Sequence, residues 1–432
     1  MHTRSIYFGI FSNVFGSVLM LGATLWLTRI LDPEQFGQFR VGSNFAVLMV
    51  PFLALGAERL ISRLLQSDRS DPLPVARALA TVVVVVGAGV SLLAIGYPLL
   101  SHFVFNGNVP VGVYYASVAI IPLTIAYNLG NTIWRHAGDP AFAQLDLNFT
   151  QRLIRAPLLI GSAILWPGAL AASLAMTSAQ AISLFRIRHN LLSFPLRGIG
   201  SLYDAVRSNL KTMMVIGVPV AIMASVDRLD VLLVNAVMGV EYAGSYDLIY
   251  MLSVTAMFPA MALSKTSEPF LYGLARDKEK QLRLKRLQTR AFVLSGAAVV
   301  AIGIAAPVLA RFLGNAGPDF ADAALVLSAG LAFSSAHGPV IEYLQINGRS
   351  RLTLALVVAL MSSFFLLKFL AASSASMTGV AALAGLFYFT LRMVMALYIR
   401  VADQVAMANI STFVLSYLSY VGVLAYVYWG AV

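Results

Sequence analysis

Apolar runs of bilayer length follow one another along this chain, separated by short polar stretches. About 20 helical residues cross the hydrocarbon core of a bilayer. Runs of that order fall at residues 5–27, 36–57, 78–101, 113–134, 153–166 and 168–184. A second set follows at 212–238, 243–263, 291–313, 321–346, 352–372 and 378–399. The fifth run reaches full length if it starts at Ala141. A last run, 412–429, reads either as a thirteenth span or as an interfacial segment. The pattern predicts an all-α polytopic membrane protein.

Composition sharpens this. Of 432 residues, 59% are hydrophobic and only 11% charged, whereas a soluble domain keeps about 25% charged. The outer surface must therefore face lipid. The absence of cysteine excludes disulfides, thiolate metal sites and a cysteine nucleophile. Residues 1–4 lead straight into the first apolar run, without a short core and small-residue cleavage site, so that run is expected to be retained as a helix.

The net charge of +11 does not point to nucleic acid, because basic residues orient membrane proteins. With the N-terminus in the cytoplasm, 24 of the 30 Lys and Arg fall in cytoplasmic segments or their flanks. Among them are Arg59, Arg63, Arg69 and Arg77, then Arg135, Arg152 and Arg155, and the basic run at 276–290. That run reads as a solvated helix touching anionic headgroups. The opposite segments at 103–111 and 314–320 are nearly free of positive charge. Trp26, Trp134, Trp166 and Trp429 all lie near predicted helix ends, as an aromatic belt requires.

The chain also looks duplicated. At a constant offset Glu34 meets Glu241, Gly37 meets Gly244 and Phe39 meets Tyr246, while Ala137-Gly138 and Asn347-Gly348 follow the fourth and tenth runs. Two sets of six runs entering from the same side predict a parallel repeat. The expected organisation is an N-lobe at 1–188, a cytoplasmic linker at 189–211, a C-lobe at 212–400 and a tail at 401–432 holding the candidate thirteenth helix. Leu202, Val206 and Leu210 line one face of the linker and suggest an interfacial elbow helix.

The segment Leu27-Thr-Arg-Ile-Leu-Asp-Pro-Glu-Gln-Phe-Gly37 resembles the opening signature of the polysaccharide transporter family. The Asp227-Arg228 pair, with Gly239-Val-Glu-Tyr-Ala-Gly-Ser-Tyr246 after it, is similar to a second signature of that family. The family includes the Wzx-type O-antigen and exopolysaccharide flippases, within the multidrug/oligosaccharidyl-lipid/polysaccharide exporter (MOP) superfamily. The resemblance covers essentially residues 1–400 and is silent on the sugar. It implies two six-helix lobes around a central cavity, in a bacterial inner membrane, working by alternating access. The implied cargo is an undecaprenyl-diphosphate-linked oligosaccharide, moved from the cytoplasmic to the periplasmic leaflet for O-antigen or for exopolysaccharide or capsule assembly. Membrane lipids, a polysaccharide polymerase machinery and a coupling ion, H+ or Na+, are the further partners implied. Neither a cofactor nor enzymatic activity is expected.

Such a cargo sets a physical problem: its diphosphate and sugars cannot enter hydrocarbon unpaired. Cations inside the membrane are thus the first candidates for substrate contact. Arg392, with no acid within a turn, leads; its structural alternative is pairing with Asp227, Asp230 or Glu342. Arg228 is flanked by Asp227 and Asp230 at spacings that do not face it, so its partner belongs to another helix or to the cargo. Lys368 is a third candidate that could instead snorkel outward. Arg29 and Arg40 flank the first outer turn, where Arg29 could snorkel and Arg40 could pair with Asp32 or Glu34.

His337 precedes Gly338-Pro339, which interrupts the tenth run, and Glu342 follows. Asp227, Asp230, His337 and Glu342 form a conceivable ion-coupling or gating group. The plainer reading is a kink with satisfied polar neighbours. Pro51, Pro122, Pro219, Pro259 and Pro307 interrupt other runs, as is ordinary in membrane helices.

A cation-coupled multidrug exporter of the same superfamily is the alternative. It leans on cavity carboxylates, and the first run holds none. A membrane-embedded sugar polymerase or ligase would need a larger outer loop than any here. A lipid II flippase would typically carry two more helices. No Gly-x-x-x-x-Gly-Lys-[Ser/Thr] loop occurs, which argues against direct ATP drive within this chain.

Overall fold

The computed structural model describes residues 3–65, 72–95, 105, 107–191, 199–261, 271, 274, 277–313, 319–405 and 409–429. These residues form helices and turns, with no strand among them. They divide into two compact units, Met1–Gly244 and Ser245–Val432. Among the described residues eight helices are long and apolar enough to cross a membrane.

The first unit opens with α1 (Thr3–Ile30) and α2 (Pro33–Ala54). Asp32 caps α2, accepting from Gln35 N at 2.7 Å, and Pro33 supplies a preset φ at the first turn. Leu55 and Gly56, both in left-handed backbone, end it. A short amphipathic helix, α3 (Ala57–Leu65), turns Leu60, Ile61 and Leu64 into a core shared with α4 (Pro72–Ile95) and α5 (Val111–Ala137).

The fifth run takes the longer of its two expected limits, starting beside Ala141. It is helical from α6 (Pro140–Leu145) through a π turn (Asp146–Thr150) into α7 (Gln151–Leu165). Arg152 and Arg155, expected in a cytoplasmic flank, therefore sit within the helical body. After it come α8 (Ala169–Leu191) and α9 (Ile199–Met238).

The 40 residues of α9 run through the expected elbow without a break, because nothing between Ser201 and Lys211 stops a helix. Residues 192–198 and the side chains of Leu202, Val206 and Leu210 lie outside the described set. The seventh run packs on α2 in the first unit, where Gly217 meets Leu55 and Gly56 backbone to backbone. Gly37 of α2 likewise meets Val240 and Gly244, at the start of α10 (Val240–Val254). Gly37 and Gly244 are the equivalent glycines of the duplicated segments.

The second unit continues from α10 through a 3-10 turn at Thr255–Met257. It then holds α11 (Lys278–Leu313), α12 (Phe320–Ser334), α13 (Val340–Ile346), α14 (Ser350–Ser373), α15 (Met377–Ala402) and α16 (Ile410–Trp429). Buried α12 packs against α11, α15 and α16. Gly330 and Gly385 let α12 and α15 touch backbone to backbone. The tenth run is two helices, not one bent one: a 3-10 turn at Ser335–His337 and then Gly338, with φ of 88°, separate α12 from α13.

The last run is a packed, span-length helix. Tyr420 of α16 is buried, donates to Ala382 O at 2.9 Å and stacks on Phe389 at 5.7 Å. Its other face exposes Leu415, Leu418 and Tyr426, as a lipid-facing helix does.

Candidate functional site

The second unit gathers His337, Glu342 and Arg392. The 3-10 turn carries His337 inward, where its ring is edge-on to Phe389 and Phe413, each at 4.9 Å. Nδ1 lies 2.8 Å from Ser334 O. A carbonyl only accepts, so Nδ1 carries the hydrogen and donates. In the neutral ring Nε2 is then a bare acceptor, and it is buried without a partner. Gln288 Nε2 donates to Ser335 O and steadies the same turn from α11.

Arg392 comes in from α15. Its Nε is buried without a hydrogen-bond acceptor. The charges acting on Arg392 through space are those of Glu342 and Tyr388, and Arg392 in turn acts on His337. Within the second unit, the acid whose charge acts on it is Glu342. Glu342 stands in the first turn of α13, which begins only because Gly338-Pro339 ended the previous helix.

Lys368 does not snorkel. It is 3% exposed, with Nζ 5.4 Å from the centre of the Phe387 ring on α15. A cation over an aromatic face keeps part of its charge satisfied away from water.

The other candidates stand in the first unit. Arg228 Nη1 donates to Asn44 Oδ1 at 2.6 Å, and Asn44 Nδ2 donates to Arg40 O at 2.8 Å. Asn44 is thus a buried bridge between α2 and α9. Arg228 therefore has a partner on another helix. Arg40 is buried, with its guanidinium 5.7 Å from the Phe39 ring, and Asp230 is buried too. Asp32 is committed to its cap, and Glu34 accepts from Gln38 Nε2 at 3.0 Å. Arg29 is exposed at the C-terminal end of α1, where a cation suits the helix dipole. Of the expected group, Asp227 and Asp230 belong to the first unit and His337 and Glu342 to the second.

Sequence reasoning missed a further polar cluster. The π turn aims Asp146 at α5 and α8: Tyr127 Oη donates to Asp146 Oδ2 at 2.8 Å, and Arg186 Nη1 lies 2.9 Å from Oδ1. One turn on, Gln151 Nε2 donates to Gln180 Oε1 at 2.9 Å, and Arg155 Nη2 donates to the same oxygen. Arg152 donates to Ser17 Oγ, beside Gly16, whose lack of a side chain lets α1 approach the turn. The available signal was the density of Asp146, Asn148, Gln151, Arg152 and Arg155 next to an apolar run.

This arrangement defines a multi-pass helical membrane protein with charged groups held inside its helical units. No family model matches the chain, and no curated protein matches it by sequence. Its fold is that of solved MOP-superfamily transporters. It is similar to the lipid II flippase MurJ in an inward closed conformation, at 13% identity and TM-score 0.65, covering 97% of this chain and 92% of that one. Similar again is the MATE multidrug transporter DinF-BH, at 17% identity and TM-score 0.65, covering 94% and 95%. A MOP superfamily transporter from Pyrococcus furiosus, described by a reverse polarity of its binding pocket, matches at 17% identity and TM-score 0.63, covering 94% and 99%.

Proposed function

We propose that this protein is a flippase for a polyprenyl-diphosphate-linked oligosaccharide, moving it by alternating access from the cytoplasmic to the periplasmic leaflet of a bacterial inner membrane. The observation that carries the reading is Arg392: a permanent cation within a membrane helix, its buried Nε without an acceptor, with Glu342 the one acid among the described residues whose charge acts on it. A diphosphate is the kind of group that satisfies such a donor. Lys368, over the Phe387 ring, and Arg228, bonded to Asn44, add cationic groups inside the helical units. Cations of this kind repel cationic drugs. The fold shared with MurJ supports transport of a lipid-linked cargo.

The multidrug exporter is the second reading. Buried Asp230 favours it, since carboxylates attract cationic substrates, and so does the fold shared with DinF-BH.

The test is depletion in the native host, followed by an assay of which membrane face holds the lipid-linked oligosaccharide. Accumulation on the cytoplasmic face, rescued by wild type but poorly by Arg392→Ala or Arg228→Ala, is expected. Normal export together with altered sensitivity to cationic drugs would sink the proposal in favour of the second reading.

A further inference from the structure

Around Gln180 the first unit holds more hydrogen-bond donors than acceptors, and we propose that this cluster binds a small anion. Such a site goes beyond the transport reading and does not depend on it.

The π turn sets the geometry. Its wider winding points Asp146 toward Tyr127 and Arg186, while Gln151 and Arg155, four residues apart on α7, share a face toward Gln180 on α8. Gln180 is fully buried. Its Oε1 accepts from both Gln151 and Arg155. Two donors converging on one atom settle which end of the amide is oxygen. Nε2, with two hydrogens, then faces away, and it is buried without an acceptor. Arg155 Nε is in the same condition.

Charge points the same way. An arginine stays protonated in a protein. The ionisable groups acting on Arg155 are Tyr127 and Arg152, a phenol and a second cation. Asp146, the nearby acid, is engaged by Arg186 and Tyr127. Arg155 is therefore a partly buried guanidinium with its Nε shut off from water, and no carboxylate is among the described groups acting on it, an expensive arrangement unless something compensates it. A buried water would satisfy the hydrogens but not the charge. An anion's acceptor atom, a halide or one oxygen of a phosphate, satisfies both. Access is available at one end of the cluster, where the side chain of Arg186 is 43% exposed.

The test uses the full-length protein in nanodiscs of zwitterionic lipid, with sodium gluconate as the starting salt. Chloride or inorganic pyrophosphate is then titrated in at constant ionic strength while the melting temperature is read. Occupancy stabilises the folded state logarithmically, so each tenfold of anion above half-filling should add an equal step to Tm. Gln180→Glu places a carboxylate where the anion would sit; it should melt higher in gluconate and lose the anion response. Arg155→Gln should lose the response as well, and if that variant fails to fold, Gln180→Glu alone decides. A chloride response identifies a free ion as the ligand. A pyrophosphate response with chloride silent identifies a diphosphate group. A wild-type Tm indifferent to both anions, or a Gln180→Glu variant that responds as wild type does, overturns the proposal.

Discussion

Gly217→Ala isolates the contact between α9 and α2. A Cβ on Gly217 would strike the carbonyl of Leu55 and the amide of Gly56, and a Cβ on Gly56 would strike Gly217 in return. These are backbone atoms, so no side chain can swing aside. Overpacking of this kind costs about 1–3 kcal/mol. Against it stands the helix propensity of alanine over glycine, worth about 1 kcal/mol. The net effect is a loss of roughly 0–2 kcal/mol. Gly22→Ala in α1 supplies the control, since its Cβ meets nothing within 4 Å. That variant should gain the propensity term without the clash. The difference between the two variants cancels propensity and leaves the packing term of about 1–3 kcal/mol. The assay is the apparent melting temperature of each full-length variant in the same detergent and at the same scan rate. Gly217→Ala should melt below wild type and Gly22→Ala at or above it. Equal shifts in the two variants would refute the reasoning.

Tyr420→Phe should lower stability by about 1 kcal/mol by removing the bond to Ala382 O. Tyr420→Ala, which also leaves a cavity beside Phe389, should cost about 3–5 kcal/mol; equal losses for the two would show that packing contributes nothing. At the ends of α14 and α15, Arg349 meets Asp403 through two bonds of 3.0 and 2.6 Å. The hydrogen bond to Asp403 is the main cause holding the Arg349 guanidinium above its ordinary pKa. Arg349→Lys keeps the charge but loses the fork, so it should destabilise by about 1 kcal/mol or less, with part of the loss disappearing in high salt. Asp277 accepts from Lys280 N at 2.9 Å at the start of α11, and that bond holds its carboxyl below the ordinary value of 3.8. A depressed carboxylate stabilises above its unfolded pKa and stops doing so as pH falls through the folded one. Amide exchange in the first turn of α11 should therefore quicken only below pH 3.8, and Asp277→Ala should quicken it at neutral pH. Unchanged exchange in Asp277→Ala would remove the cap from the account.

The apolar runs by themselves determined that this chain is a bundle of membrane helices. Burying backbone in lipid leaves few choices, and a helix satisfies its own hydrogen bonds wherever it is placed. The break at Gly338-Pro339 was legible for the same local reason. Candidate cations could be named from the sequence, but their surroundings could not. That Lys368 turns onto Phe387, that Arg392 answers to Glu342 and that Asn44 bridges α2 to α9 depend on which helices meet. The cluster at Asp146, Gln151 and Arg155 was hidden because charge next to an apolar run reads as a loop flank. Only packing against Tyr127 and Gln180 makes it an interior. Helix formation is decided within a few turns of chain, whereas the partner of a buried charge is decided by residues far apart in sequence, and only tertiary structure brings those together.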